Sequence, residues 1–551
     1  MQNATRQTPR SLGTKIRLVA WTLLVVGLPA SAAEVPADDW RARGAAFERR
    51  NAWAEACRCY EDILRKERGN VIAREAYRRS LRRLHLATRQ ADASYRRSLT
   101  QLTPAQALEI YEQVLAILRV AYPDRDRTNI QLLFQNGLQE MQFALDDPLF
   151  RRHQMPGVKP ALIDAYKKRL DSWSAQVTTL SEAREEAFLV IRSASEEKIK
   201  LSPSLISALT LEFAAGACNT LDEFSSFLTP GSMSTVQAAL KGKLLGVGVE
   251  LGVVADRLTV TRVYAKSPAA QAGFVKGDLV LEIAGVNVQS LPADVAAERL
   301  RGERGSAVEI LIGRGEAKKS FRLSRRSFPV SSVEYDPLHL PSGMNCGYLR
   351  IHHFQDSTLQ EVKDALAAMN NPGDPIKGLI LDLRGNPGGV FKSAVAIAEL
   401  FLGEGIIVVG QSPIRDFNRT YRADNPLASQ IPAVVLVDGD TASAAEVLAG
   451  ALKESRATRS PTRLLGQTTY GKGSIQVIIP MDKSPLEKLA GIRLTVARLL
   501  SPSNSPVTGR GVVPTDSSSL EGDALRYKAQ ELLYNLINEA MMPPRMVGGA
   551  Y

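Results

Sequence analysis

The hydrophobic pattern changes twice along the chain, and each change marks a different kind of structure. From Asp38 to about Lys198 apolar residues recur at three- and four-residue spacing with few glycines and little β-branched clustering, which predicts helix throughout. The same spacing continues from Pro203 to Phe213 and Ala217. From Leu244 to Ser324 the text breaks into short apolar runs, Leu258-Thr259-Val260-Thr261, Leu279-Val280-Leu281-Glu282-Ile283 and Val308-Glu309-Ile310-Leu311-Ile312, punctuated by glycine, as in a small β-rich domain. From Gly347 strand and helix patterns alternate. Leu379-Ile380-Leu381 and Val434-Val435-Leu436-Val437 are continuous apolar runs of the kind buried on both faces of a parallel sheet. The last thirty or so residues predict one helix, roughly Ala524 to Met541, and a Pro- and Gly-rich tail.

Composition narrows the class. A chain of 551 residues with 44% apolar and 23% charged positions is ordinary globular protein with room for three or four domains, so disorder, collagen and coiled coil are excluded as whole-chain descriptions. Four cysteines, Cys57, Cys59, Cys218 and Cys346, are too few for a disulfide scaffold and include no CxxC pair. Cys57 and Cys59 sit two apart on a predicted helix and point about 200° from one another, so they are not expected to bond. None of the histidines, His85, His153, His339, His352 and His353, falls in an HExxH pattern, and no metal is expected.

The N-terminus predicts export. Arg10, Lys15 and Arg17 precede a largely apolar run from Leu18 to Leu28, and Pro29-Ala30-Ser31-Ala32-Ala33 offers the small residues of a cleavage site, giving a signal peptide over 1–32. The run stops well short of the roughly 20 residues a membrane-crossing helix needs, and nothing later approaches that length. The expected location is the periplasm or cell envelope, with no transmembrane span in the mature chain.

The net charge of +11 is uneven: between Arg41 and Thr100 there are 16 Arg plus Lys against 7 Asp plus Glu. In an exported protein such a surface points to an adaptor or an anionic envelope partner rather than to nucleic acid, which is not expected. The plain alternative is that Arg78, Arg79, Arg82 and Arg83 only solvate helix faces. Trp40, Gly44, Phe47, Ala56 and Tyr60 fall at the offsets of a single tetratricopeptide-like unit, with an irregular helical bundle as the alternative.

Three segments could carry chemistry. The strand Val434 to Val437 leads through Asp438-Gly439-Asp440 to Thr441-Ala442-Ser443-Ala444-Ala445-Glu446 and a helix. A serine at such a turn exposes its hydroxyl above a sheet, beside free amides at the helix start. Ser443-x-x-Glu446 is equally a capping box, and alone that reading is favoured. Downstream, Gly471-Lys472-Gly473-Ser474-Ile475-Gln476 enters an alternating run at Ile475, Val477 and Ile479, which would place Lys472, Ser474 and Gln476 on one strand face. A lysine there, desolvated enough to lose about three pKa units from about 10.4, could act as general base, with Gln476 accepting a hydrogen bond from its amine. Gly466-x-x-x-x-Gly471-Lys472 matches most of a phosphate cradle, but Gly473 stands where Ser or Thr belongs. The third segment, Asp382-Leu383-Arg384-Gly385-Asn386-Pro387-Gly388-Gly389, is a strand end whose glycines let amides form an anion pocket.

Together with Thr220-Leu221-Asp222-Glu223-Phe224-Ser225-Ser226-Phe227-Leu228-Thr229-Pro230, Gly347-Tyr348-Leu349-Arg350-Ile351 and the stretch from Ser501-Pro502 to Gly511-Val512-Val513-Pro514-Thr515-Asp516, these segments resemble the carboxy-terminal processing, or tail-specific, protease family over about residues 205–516. The resemblance implies Ser443 as nucleophile, Lys472 as base and Gln476 as the residue that orients it. It implies an oxyanion hole from the Ala444 N–H and a glycine N–H, Gly389 in preference to Gly388. Thr441 and Ala445 depart from the family's Ser-Ala-Ser-Ala-Ser-Glu, and the stretch Ser455 to Arg463 is about four residues longer than usual. Leu245, Gly246, Val247, Gly248 and Val249 look like the carboxylate-binding loop and following strand of a PDZ domain, which captures peptide C-termini by strand addition.

The fold expected is therefore multidomain α+β: signal peptide 1–32, helical N-terminal region 33–200, helical lead-in 201–236, PDZ-like domain 237–326, α/β serine protease core with a mixed sheet 327–516, and C-terminal helix and tail 517–551. The function expected is an exported serine endopeptidase, without metal or cofactor, that takes polypeptides with apolar C-termini; an inactive PDZ and helix scaffold is the alternative. Oligomeric state, substrate and the sign of the PDZ-like domain's effect are left open.

Overall fold

The computed structural model describes residues 40–541 except 256, 290, 292, 303, 341–342, 427–430, 455–460 and 482–489. The expected signal peptide, the terminal tail and most of the Ser455–Arg463 stretch lie outside the described residues.

Helices Trp40–Arg49 and Trp53–Lys66 pack where glycine permits it: a Cβ on Gly44 would lie 2.4 Å from the Tyr60 ring, which Trp40 meets edge-on. Helix Val71–Ala91, capped by the Asn70 side chain, closes this unit over a small core of Trp40, Ala56, Tyr60, Ile63 and Ala73. Helix Pro203–Asn219 is mostly apolar around its circumference and is buried from Leu205 to Cys218 apart from Ile206, its Glu212 included, with Phe213 between Tyr111 and Phe134. Its Gly216 lets the backbone of helix Ile130–Asp146 approach so closely that a Cβ would stand 2.4 Å from the Asn136 carbonyl oxygen. Arg89 lies between the buried carboxylates of Glu140 and Glu212, each charge compensated by the others. Helices Ile130–Asp146 and Pro203–Asn219 share one continuous apolar core with the sheets of the C-terminal half.

Four basic residues of the first helices have partners in the fold, while Arg41, Arg49, Arg50 and Lys66 are exposed. Arg78 pairs with Glu223, Arg79 with Glu48 and Arg82 with Glu140, while the Arg83 guanidinium lies over the Phe143 ring. Solvation is therefore not all that these four arginines do. Their partners are distant in sequence, so local patterning could not show them.

The β-rich unit is an antiparallel sheet in the order 249–254, 257–263, 279–283, 307–314, 317–324, with an apolar core of its own that includes Val260, Ile283 and Ile310. A two-stranded ribbon, Lys243–Gly246 with Arg326–Pro329, joins it to the rest. The α/β core is a six-stranded mixed sheet, 333–339, 345–351, 379–382, 433–437, 462–466, 516–517, antiparallel at its first pair and parallel thereafter. Helix Gly522–Met541 covers one face of it with Leu525, Leu533 and Ile537. A second sheet holds strands Ser474–Pro480 and Gly491–Leu500 side by side.

One part of the expectation about that sheet fails: the strand starts at Ser474, so Lys472 precedes it. Ser474 and Gln476 do share a face, with Gln476 Nε2 donating to Ser474 Oγ, and the register shift opposite Ile475 and Gln476 leaves its extra residue, Val496, on the partner strand. Residues 474–479 are all buried, so the run has no solvent face.

Candidate active site

Strands 379–382, 433–437 and 462–466 are parallel neighbours, and the three suspected segments leave their carboxyl ends side by side. Such ends are where open α/β sheets place ligands. Cross-loop bonds lock the segments together. Ala442 N–H donates to the Asn386 carbonyl at 2.8 Å, Gly385 N–H to the Asp438 carboxylate at 3.0 Å, and Tyr470 N–H to the Thr441 carbonyl at 2.9 Å. Thr441 Oγ1 lies 2.9 Å from the Leu383 carbonyl oxygen, so the threonine that departs from the family pattern still ties its turn to the glycine loop.

Ser443 stands at the head of helix Ala444–Glu454 with φ of 57°, a left-handed conformation that a non-glycine residue holds only where its surroundings fix it. It is 3% exposed. Gly388 packs directly against it: a Cβ there would lie 2.8 Å from Ser443 Cβ and 2.9 Å from the Ala444 nitrogen. Gly388 N–H is already given to Asn386 Oδ1 at 2.9 Å. Gly389, at φ 138°, bridges the Phe354 backbone so closely that a Cβ would be 1.9 Å from its carbonyl oxygen.

Glu446 is the residue whose reach the capping-box reading missed. Its buried carboxylate accepts from Ser443 N–H (2.7 Å) and Lys472 N–H (2.8 Å) on Oε2, and from Gly471 N–H and the Thr469 hydroxyl (2.6 Å each) on Oε1. The backbones of the serine and the lysine thus share one oxygen atom. Burial raises the Glu446 pKa against the pull of those four donors. The only sequence signal was its place three residues after Ser443.

Lys472 is half-buried between two glycines that must be glycines, since a Cβ on Gly473 would lie 2.4 Å from the Thr508 nitrogen and Gly471 has φ 92°. Burial, with the Arg493 guanidinium adding to it, pulls the amine down to about 7 against the attraction of Asp222, Glu446 and Glu223. Its Nζ lies 4.6 Å from the centre of the Phe224 ring. That ring is placed by a turn in which Asp222 Oδ1 accepts the N–H groups of Phe224 and Ser225. Gln476 is fully buried; its Nε2 donates to Ser474 and Thr495 hydroxyls at 2.8 and 3.1 Å, while its Oε1 has no partner among the described residues. Phe224 and Arg493 were not singled out by sequence reasoning, although Phe224 lies in a quoted segment.

The peptide-loop candidates lie apart from this cluster, in the β-rich unit. Leu245 and Gly246 end the connecting ribbon, Val247 is buried, Gly248 has φ 84°, and Val249 opens the strand Val249–Val254 at the sheet edge. An edge strand has unpaired backbone groups along one side, where an extended peptide can add. His352 and His353, to which no role was given, lie near Glu334 and Gln355 at 3.0 and 2.9 Å.

Comparison with known proteins agrees with this layout. The profile of peptidase family S41 matches residues 345–517, and a PDZ domain profile matches 259–314. The carboxyl-terminal-processing protease of Synechocystis sp. is 35% identical over 303 residues, covering 54% of this chain and 68% of the relative. The carboxy-terminal-processing protease of Bartonella bacilliformis is 30% identical over 306 residues, covering 54% and 67% respectively. Among solved structures, a photosystem II D1 C-terminal processing protease aligns at 22% identity over 79% of this chain and 98% of its own, with a TM-score of 0.40. With its parallel strand ends, its serine turn and its PDZ domain, this chain belongs to the carboxyl-terminal-processing proteases of peptidase family S41.

Proposed function

We propose that the protein is an exported serine endopeptidase working through Ser443 and Lys472. The observation that carries the reading is the single Glu446 oxygen that accepts the amides of both residues. Ser443 Oγ attacks the substrate carbonyl carbon while its proton passes to the neutral Lys472 amine. The oxyanion is held by the N–H groups of Ala444 and Gly389, a choice supported by the commitment of the Gly388 N–H to Asn386. Collapse expels the amine product with the proton from the Lys472 ammonium, leaving an acyl-Ser443 ester. Water, deprotonated by Lys472, attacks the ester and frees the new C-terminus. The amine's pull down to about 7 supports Lys472 as base, and the unpartnered Gln476 Oε1 supports Gln476 as the acceptor that aims it.

Substrate choice rests with the loop from Leu245 to Val249 and the edge strand behind it, which would capture an apolar C-terminal tail while the sheet domain cuts upstream. The test incubates the mature chain with an unfolded polypeptide ending in apolar residues, beside Ser443→Ala and Lys472→Ala. Each variant is expected to lose at least about 1000-fold in turnover while keeping its fold. Hydrolysis that persists at the parental rate in both variants overturns the assignment.

A further inference from the structure

The arginines of the first helices converge on one place. Arg65, in the last turn of helix Trp53–Lys66, has Nε 3.1 Å from Asp440 Oδ1, an ion pair not aligned as a hydrogen bond, on the turn that leads into Ser443. Arg68, in the short connection to the next helix, donates from Nη2 to the Thr468 carbonyl at 2.9 Å and from Nη1 to the Arg510 carbonyl at 2.8 Å. Arg74 and Arg78 hold Glu223 at 3.3 and 2.8 Å, next to the Phe224 ring that faces Lys472. Arg74 also donates to the Arg68 carbonyl at 2.8 Å, so the contacts form one assembly.

We infer that Arg68 is a positioning residue for the peptidase reaction, and that the helical unit 40–91 completes the catalytic centre by clamping the loops that carry Ser443 and Lys472. The proposal rests on the Ser443–Lys472 reading and extends it to a region outside the family profiles. The two carbonyls that Arg68 joins belong to different segments. Thr468 begins the loop that ends at Lys472, and Arg510 lies in the stretch against which that loop is stitched by Gly509 N–H on the Gly471 carbonyl (2.8 Å) and Val512 N–H on Thr469 Oγ1 (2.7 Å). Thr469 in turn donates to Glu446. The planar guanidinium spans both carbonyls with two donors in fixed relation, which a lysine ammonium cannot reproduce. With this fork in place, the loop is held from the helical side by Arg68 and from the helix 444–454 side by Glu446. Small displacement of a catalytic group is costly, on the order of a hundredfold for about 1 Å.

The experiment measures steady-state hydrolysis by the full mature chain carrying Arg68→Ala, Arg68→Lys or Arg79→Ala, with Ser443→Ala alongside. Arg79 pairs with Glu48 inside the helical unit and serves as the control. Arg68→Ala is expected to lower kcat at least about tenfold with KM within about twofold. Arg68→Lys is expected to recover little of that loss, and Arg79→Ala to keep the parental kcat. Parental kcat in Arg68→Ala, full recovery in Arg68→Lys, or an equal loss in Arg79→Ala each overturns the clamp. Should Arg68→Ala fail to fold, the double variant Arg74→Ala with Arg78→Ala, which frees Glu223, must show the same fall in kcat, and a parental value there overturns the inference. Activity surviving in Ser443→Ala strikes the underlying reading instead, so the two failures are told apart.

Discussion

The PDZ domain and the helical unit 40–91 both flank the parallel sheet, yet they are joined to it by opposite means. The PDZ domain has its own apolar core and connects through a two-stranded ribbon, 243–246 with 326–329. The helical unit has only a small core and is fastened by guanidinium groups to loops at the catalytic end of the sheet. Apolar cores make a unit self-sufficient, whereas charge-assisted bonds to backbone carbonyls and carboxylates fix where it sits. The PDZ domain therefore carries its own folding core, whereas the placement of the helical unit depends on those bonds.

The sharpest way to break this contrast is at the junction itself. Glu446→Ala would strand the buried N–H groups of Ser443 and Gly471, the half-buried N–H of Lys472 and the Thr469 hydroxyl, with an expected loss of about 4 kcal/mol in denaturant unfolding of the core. Glu446→Gln, which keeps one accepting oxygen, should lose about half of that. A core as stable as the parent in both would show that the catalytic segments are held together by other contacts.

An effect of opposite sign is expected from Lys472→Met. The folded-state pKa of about 7 lies below the ordinary lysine value, so the cost of holding the ammonium in the fold grows as pH falls from about 10.5 to 7 and is constant below. The variant should gain at most about 5 kcal/mol at pH 6 and almost nothing at pH 10.5. An equal difference at both pH values would mean the amine stays hydrated. Parental hydrolysis should correspondingly rise with pH through about 7, where the amine becomes neutral.

The smallest change tests the independence of the PDZ domain. Gly248 has φ 84°, and a Cβ there would lie 2.1 Å from Ser267 Cβ, so Gly248→Ala should cost that domain about 2 kcal/mol. Calorimetry should show one transition moving down while the core transition stays. Hydrolysis of a short peptide lacking an apolar tail should be unchanged. Both transitions moving together would contradict the separation of cores.

The readable parts of the sequence were those whose signal is local. Continuous apolar runs at 379–381 and 434–437 announced buried parallel strands, and Ser443, Lys472 and Gly388-Gly389 stood in short strings tied to a known family. What was not readable depends on distant partners. Arg68 bonds to residues four hundred or more positions away, and no spacing within helices 53–66 and 71–91 announces that. The same positions looked like surplus charge on a solvated face. Alternation at Ile475, Val477 and Ile479 placed Ser474 and Gln476 on one face, as they are, but not the start of the strand at Ser474, which leaves Lys472 outside it. Glu446 was visible as half of a helix start, while its hold on Lys472 required the fold to bring the second segment to it.

The shared carboxylate oxygen has a consequence for how this enzyme can vary. Because Glu446 grips the amides of the serine turn and the lysine loop directly, the placement of these two backbones is set by that carboxylate rather than by the length of chain spanning Glu454 and Thr462. A change of length in that span can thus leave the two loops together.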